Sequence, residues 1–154
     1  AYAVMAATTV VSGWISDRWI ASGATPTRVR KTLACTGLAG TTVILPVAIV
    51  HDPSASIAFL LLACGSYGIF AANHWAITQT LAGPAAAGRW TSIQNGFANL
   101  AGVCAPWIAG LLLQRTGQYY PAFLMASFFV LLGSFMYGVV IQRIEPVDFQ
   151  RRQG

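Results

Sequence analysis

Charge is what this sequence has least of. Of its 154 residues only 8% are charged, nine basic and four acidic, where a soluble domain carries about 25%. Asp52, Arg89 and Arg115 alone interrupt the stretch from Thr32 to Gln142. A charged side chain at the centre of a bilayer helix costs roughly 2.5–3.5 kcal/mol on insertion scales. A chain that omits charge for this long, and spaces the exceptions like loops, is built for lipid. A soluble core of this size could not hide 56% hydrophobic residues. The net charge of +5 does not point to nucleic acid, because the basic residues sit at the ends of apolar runs. Cysteine is also scarce. Cys35, Cys64 and Cys104 lie one per apolar segment, with no Cys-x-x-Cys and no metal-ligand spacing, so neither a metal site nor a cofactor is expected. No Asn-x-Ser/Thr sequon is present. The opening residues Ala1-Tyr2-Ala3-Val4 lack an initiator Met, a charged n-region and a cleavage site. The expectation is a C-terminal piece of a longer membrane protein, whose N-terminal helices would be its partners.

What is there is a series of apolar runs of bilayer-spanning length, about 20 residues each. Five are expected as helices: 1–15, 32–50, 55–80, 90–113 and 119–142, followed by a tail at 143–154. Backbone groups in lipid must be satisfied internally, and the runs are too long and too unalternating for barrel strands. The fold class is therefore an all-α membrane protein. Turn chemistry separates the runs: Asp52-Pro53-Ser54, Ala82-Gly83-Pro84 with Gly88, and Gln114-Arg115-Thr116-Gly117. The longest connection is expected at 16–31.

Eight of the nine basic residues then fall on one side: Arg18, Arg28, Arg30 and Lys31, Arg89, and Arg143, Arg151 and Arg152 in the tail. The other side holds only Arg115. By the positive-inside rule the first side is cytoplasmic, with the C-terminus inside and a multi-pass protein in a cell membrane, in bacteria the inner membrane. Small-residue stripes, Cys64-x3-Gly68-x3-Ala72 and Ala98-x3-Gly102-x3-Pro106 with Ala101-x3-Ala105-x3-Ala109 beside it, mark the third and fourth runs as packed in the bundle. The fifth, rich in Phe, Leu and Val, is expected at the periphery.

Two constellations could carry chemistry. The first is Gly13-Trp14-Ile15-Ser16-Asp17-Arg18 with Arg28-Val29-Arg30-Lys31. An acid at a helix end can pair with Arg or accept from a neighbouring helix N-terminus, and Gly13 lets another helix pass close. A loop that only sets topology is the plain alternative. The second is polar residues at membrane depth: Asn73-His74-Trp75, Thr78 and Gln79 on the third run, Gln94-Asn95 and Asn99 on the fourth. Polar groups there are expensive and face a cavity or another helix. Asn95, Asn99, Gly102 and Pro106 share one helix face. Trp75 and Asn95 are equally far from the centre of the 81–89 turn, so antiparallel helices would hold them at one depth, roughly 8 Å inside the helix ends at 1.5 Å per residue. An aromatic face opposite a carboxamide can grip a hydroxylated ligand by stacking and hydrogen bonds. Candidate substrate-binding residues are Trp75, Asn95, Gln94, Asn99, His74 and Asn73. The alternative for the carboxamides is helix joining, and for His74 packing or proton carrying.

The first constellation resembles the signature loop of the major facilitator superfamily, of form G-x-x-x-D-R followed by basic residues. That loop lies between helices two and three of the family and recurs, weaker, between helices eight and nine. The second copy fits, since four more runs follow. The resemblance implies that Gly13, Asp17, Arg18, Arg28, Arg30 and Lys31 form a cytoplasmic signature loop, in which Asp17 and the arginines latch one state of a transporter. The run from Gly88-Arg89-Trp90 through Gln94-Asn95-x3-Asn99 to Gly102-x3-Pro106 resembles the anion:cation symporter branch of that superfamily. By that resemblance Trp75 and Asn95 match substrate-contacting positions on helices ten and eleven. The segment between Arg18 and Arg28 is longer and less basic than the strongest signature loops. No membrane-buried acid or arginine is seen here; in that branch those groups lie on helices one to seven.

The function this implies is proton-coupled symport of an organic anion, such as a hexuronate, aldonate or glucarate, by alternating access. Partners are then the anion, protons, the lipid bilayer and the N-terminal helices. Efflux of drugs or metabolites on the same fold is the alternative, followed by a non-transporting scaffold or sensor. An enzyme is not expected. His51 sits in a loop, His74 stands alone with no acid on its helix face, and no cluster of acids, nucleophiles or ligands shares one depth.

Overall fold

A computed structural model describes residues 1–147. Arg151 and Arg152, placed above in the tail, lie outside the described residues. Every regular element among the described residues is helical: α1 Tyr2–Ala21, α2 Pro26–Thr41 continued by a 3₁₀ segment Thr42–Ala48, α3 Pro53–Thr116 and α4 Tyr120–Val139. Local chemistry sets these limits. The Thr25 hydroxyl accepts from the Arg28 amide and Pro26 opens α2. Asp52 caps α3, its carboxylate accepting from the Ala55 N–H at 2.8 Å, with Pro53 at the first helical position. Such a cap contributes about 1 kcal/mol, and proline there gives up a donor that has no helical partner. Gly117, left-handed at φ 68°, ends α3, as glycine does without a Cβ penalty.

The long α3 is two antiparallel limbs. Its 64 residues would make a rod of about 96 Å if straight. Gly83, with φ 67° and ψ 170°, breaks it in a region essentially reserved for glycine, and Pro84 follows. His74 and Gln94, 20 positions apart, would stand about 30 Å apart on a straight helix. Instead their Nε2 atoms approach to 2.7 Å. The first limb, 53–82, therefore runs out and the second, 84–116, runs back.

Two boundaries differ from the expected ones. The 16–31 connection shrinks to 22–25, because α1 continues through Asp17 and Arg18 to Ala21 and α2 starts at Pro26. The polar end of α1 is an exposed helix end, which the loss of apolar run at Ser16 reads as a loop. The 81–89 connection shrinks to the Gly83 break, since Ala85, Ala86 and Ala87 are good helix formers. Three helices are long and apolar enough to cross a membrane: Pro26–Ala48, Pro53–Thr116 and Tyr120–Val139. The doubled α3 makes these four passes, and α1 lies outside that set.

Small residues hold the bundle. A Cβ at Gly68 would run into the Thr8 side chain and the Met5 carbonyl of α1, and one at Gly37 of α2 into the Phe70 amide and the Ser66 carbonyl of α3. The Cys64-x3-Gly68-x3-Ala72 stripe thus faces α1 rather than the second limb. Glycines of the second limb, Gly96, Gly102 and Gly110, have nothing within 4 Å of an added Cβ, while Ala101, Ala105 and Ala109 line an apolar cavity of about 670 Å³ shared with α4 and Ile44. The core is Ala34, Leu38, Phe70, Ile77 and Ile144, flanked by Leu81, Val130, Tyr137 and Ile141. α4 packs on α2, where the Ser134 hydroxyl donates to the Cys35 carbonyl at 3.0 Å. The other side of α4, with Phe128, Phe129 and Phe135, is exposed. Beyond α4 the chain returns under the bundle. Ile144 is buried, its N–H donates to the Thr27 hydroxyl at 3.1 Å, and the Val147 N–H donates to the Leu81 carbonyl at 2.9 Å.

Candidate substrate-binding site

The two limbs of α3 and the end of α4 meet at His74. Its Nδ1 lies 2.5 Å from the Tyr137 hydroxyl oxygen, and its Nε2 lies 2.7 Å from Gln94 Nε2. The carboxamide nitrogen is a donor, so it donates to Nε2; the ring proton then sits on Nδ1 and points at Tyr137. Phe70 packs on the same ring with centroids 5.0 Å apart, and the ring meets Trp75 edge-on at 5.3 Å. This arrangement confirms that the third and fourth runs are paired in antiparallel register about the 81–89 turn. The neighbours Trp75 and Asn95 are therefore carried at one level by the bonded pair His74 and Gln94.

The six residues proposed for binding divide into two groups. Trp75, Asn95 and Asn99 are exposed. Asn99 donates to the Asn95 carbonyl at 2.8 Å along its own helix, and Gly102 beyond it has nothing within 4 Å of an added Cβ, so the Asn95–Asn99–Gly102 face is open. Asn73, His74 and Gln94 are engaged within the bundle. Asn73 is buried and donates to the Ser12 hydroxyl of α1 and to the Ile69 carbonyl, both at 3.0 Å. Gln94 keeps one buried polar atom, Oε1, without a hydrogen-bond partner. Tyr137 is the residue that sequence reasoning missed. The only signal was a hydroxyl in the last turns of an otherwise Phe- and Leu-rich helix.

The signature residues are spread over two helices, α1 and α2. Asp17 is exposed on α1 and makes no ion pair among the described residues. Arg18 stacks over the Trp14 ring at 5.4 Å. Arg28 is exposed and contributes its backbone N–H to the Thr25 cap. Arg30 reaches across to α3, donating to the Ala76 carbonyl at 3.3 Å and the Thr80 hydroxyl at 2.5 Å. Lys31 reaches the last turn of α4, donating to the Gly138 carbonyl at 2.9 Å. Gly13 does not mark the closest approach, since a Cβ there would sit 3.9 Å from the Ala72 Cβ, an ordinary contact. Arg30 and Lys31 tie α2 to α3 and α4 rather than gathering on Asp17. Beside them, Gln79, Thr80, Gly83, Pro84, Thr91, Ser92 and Pro146 line an open cavity of about 690 Å³ at the bend of α3.

Comparison with known proteins gives a consistent set. No family model matches the chain. It is 28% identical over 138 residues to the D-galactonate transporter of Escherichia coli, covering 90% of this chain and 32% of that protein. It is 26% identical over 138 residues to the uncharacterized transporter YybO of Bacillus subtilis, covering 89% and 32%. It is 33% identical over 141 residues to the voltage-gated purine nucleotide uniporter SLC17A9 of Mus musculus, covering 88% and 31%. The chain thus spans about a third of the length of the curated relatives it matches. These relatives are transporters and not enzymes. With its all-α fold and its membrane-length apolar helices, the chain is similar to a stretch of these membrane transporters.

Proposed function

We propose that this chain supplies one wall of the substrate path in a secondary active transporter for an organic anion of the aldonate, hexuronate or glucarate class, working as a proton symporter by alternating access. The observation that carries the reading is the His74–Gln94 contact at 2.7 Å, whose sequence neighbours Trp75 and Asn95 are both exposed and would stand at one level on an open face. Trp75 would stack on the carbon skeleton, and Asn95 and Asn99 would exchange hydrogen bonds with its hydroxyls. The name of the Escherichia coli relative supports an aldonate among the candidates. The proton-carrying groups and the cation that meets the carboxylate would come from the N-terminal helices of the same polypeptide. The basic end of the bundle, with Arg28, Arg30, Lys31 and Arg89, would face the cytoplasm, with five passes in all when α1 is counted, in a cell membrane.

The test is uptake of labelled D-galactonate, D-glucuronate and D-glucarate by the full-length protein in cells. Asn95→Ala is expected to abolish uptake of whichever anion the wild type moves, at unchanged membrane abundance. Unchanged uptake kinetics in that variant would remove the site assignment. A second reading, anion uniport driven by membrane potential, is favoured by the name of the mouse relative. Vesicles clamped at fixed potential separate the two: collapsing the pH gradient stops symport and leaves uniport running.

A further inference from the structure

We infer that His74 is a positioning residue: the relay Tyr137–His74–Gln94 fixes the separation of the two limbs of α3 and thereby the grip of Trp75 and Asn95 on the anion. This rests on the reading of the site given under Proposed function.

Four observations carry it. First, both ring nitrogens are engaged, Nδ1 with the Tyr137 hydroxyl at 2.5 Å and Nε2 with the Gln94 carboxamide at 2.7 Å. The imidazole is therefore not free to take a ligand, and its chemistry is spent on joining three segments. Second, the joined residues are the immediate sequence neighbours of the proposed contacts, Trp75 after His74 and Asn95 after Gln94. A shift of either limb at the joint moves both contacts with it. Third, the His74–Gln94 contact is a side-chain hydrogen bond that joins the two limbs directly, while much of the second limb is loosely packed. Its glycines Gly88, Gly96, Gly102 and Gly110 meet nothing within 4 Å, and a cavity of about 670 Å³ separates part of it from α4. Fourth, Gln94 Oε1 is buried without a partner. An unpaired buried carbonyl is destabilising, so a side chain kept here for packing alone would be better apolar. Its amide is retained for the bond to His74.

The relay also reaches α2. Tyr137 stands one position before Gly138, whose carbonyl accepts from Lys31 at 2.9 Å. The last turn of α4 is thus pinned from two sides, and His74 takes its position from a fixed post.

The experiment uses the full-length transporter and, as probe, whichever of D-galactonate, D-glucuronate and D-glucarate the wild type takes up. Kinetics are measured for Tyr137→Phe, Gln94→Leu, His74→Leu and His74→Gln, with the thermal midpoint of each purified protein alongside. Tyr137→Phe, Gln94→Leu and His74→Leu are expected to raise KM about three- to twentyfold, the span of interhelical hydrogen-bond strengths in membranes, with kcat within about twofold of wild type on the same ground. His74→Gln keeps a donor and an acceptor and is expected to recover most of the wild-type KM. If His74→Leu fails to reach the membrane, Tyr137→Phe and His74→Gln decide. A lower thermal midpoint with unchanged KM would mean packing only and would overturn the inference. Unchanged KM in all the relay variants, with uptake lost in Asn95→Ala, would also overturn it while leaving the site reading intact. Unchanged uptake in Asn95→Ala, or no uptake of any of the three anions by the wild type, would remove the site reading and this inference with it.

Discussion

Single glycines decide how closely these helices pack. At Gly37 an added Cβ would stand 2.6 Å from the Phe70 amide nitrogen and 2.9 Å from the Ser66 carbonyl oxygen. Both are backbone atoms, so α2 and α3 would have to part. Gly37→Ala is expected to lower stability by about 1–3 kcal/mol, the usual range for overpacking, read as a lower thermal midpoint of the full-length protein in detergent. Gly13→Ala, whose Cβ would meet Ala72 at 3.9 Å, is expected to leave the midpoint nearly unchanged. Equal effects at the two sites would contradict the packing described. The contrast also shows what a sequence conveys at this scale. Gly13 draws attention through its motif, and Gly37 has none. Which glycine is pressed against a backbone depends on how two helices cross, and that is absent from local spacing. The binding candidates are mixed for the same reason. Trp75, Asn95 and Asn99 are legible as polar or amphipathic residues on a run that needs none. That Asn73 is spent on Ser12 and Ile69, and that His74 finds Tyr137 63 residues away, requires the third dimension.

Among the elements, α3 holds the most information. Its apolar content alone reads as two spans, and the antiparallel return is encoded by Gly83-Pro84. Gly83 sits at φ 67°, ψ 170°, where a side chain is strained by about 1–3 kcal/mol. Gly83→Ala is expected to destabilise by that amount and to widen the bend, detected as a lower thermal midpoint together with slower uptake. A midpoint equal to wild type would mean that the break does not need glycine. The break also frees the Leu81 carbonyl, which in an unbroken helix would accept from Ala85. The Val147 N–H takes it at 2.9 Å, while Ile144 fills the space beneath α2. This return of the chain was invisible in sequence, because 143–147 has neither periodicity nor length, only one apolar residue aimed inward. The polar end of α1 reads as a loop for a related reason. An amphipathic helix end and a polar loop have the same composition, and Asp17-Arg18 belongs to the former.

For the whole molecule, polarity and exposure point the same way. Large apolar side chains stand open on two surfaces: Phe97 and Val103 on the second limb of α3, Phe128 and Phe135 on α4. Contiguous apolar surface of this kind marks lipid or a partner. The outer side of α4, the fifth run, stands exposed, and the second limb of α3 carries its apolar stripe beside the open Asn95 face. Contacts across the bundle place one set of ends together: Lys31 with Gly138, Ile144 with Thr27, Val147 with Leu81. Arg18, Arg28, Arg30, Lys31 and Arg89 cluster at that end, and Arg115 at the other, beyond the second limb of α3. The alternation of ends was readable from where charge is missing, since lipid imposes it on composition. The tilt and spacing of the helices were not, since lipid is indifferent to which apolar face it touches.

The account depends most on the doubling back of α3 across the bilayer, which brings Trp75 and Asn95 to one level. Single cysteines at the exposed positions 85 and 118, Ala85→Cys and Gln118→Cys, in the full-length protein with its native cysteines replaced, test it directly with a membrane-impermeant maleimide on intact cells. The expected result is that Gln118→Cys labels at once and Ala85→Cys labels only after the membrane is permeabilised. Labelling of both positions from the same side would contradict the fold and the site built on it.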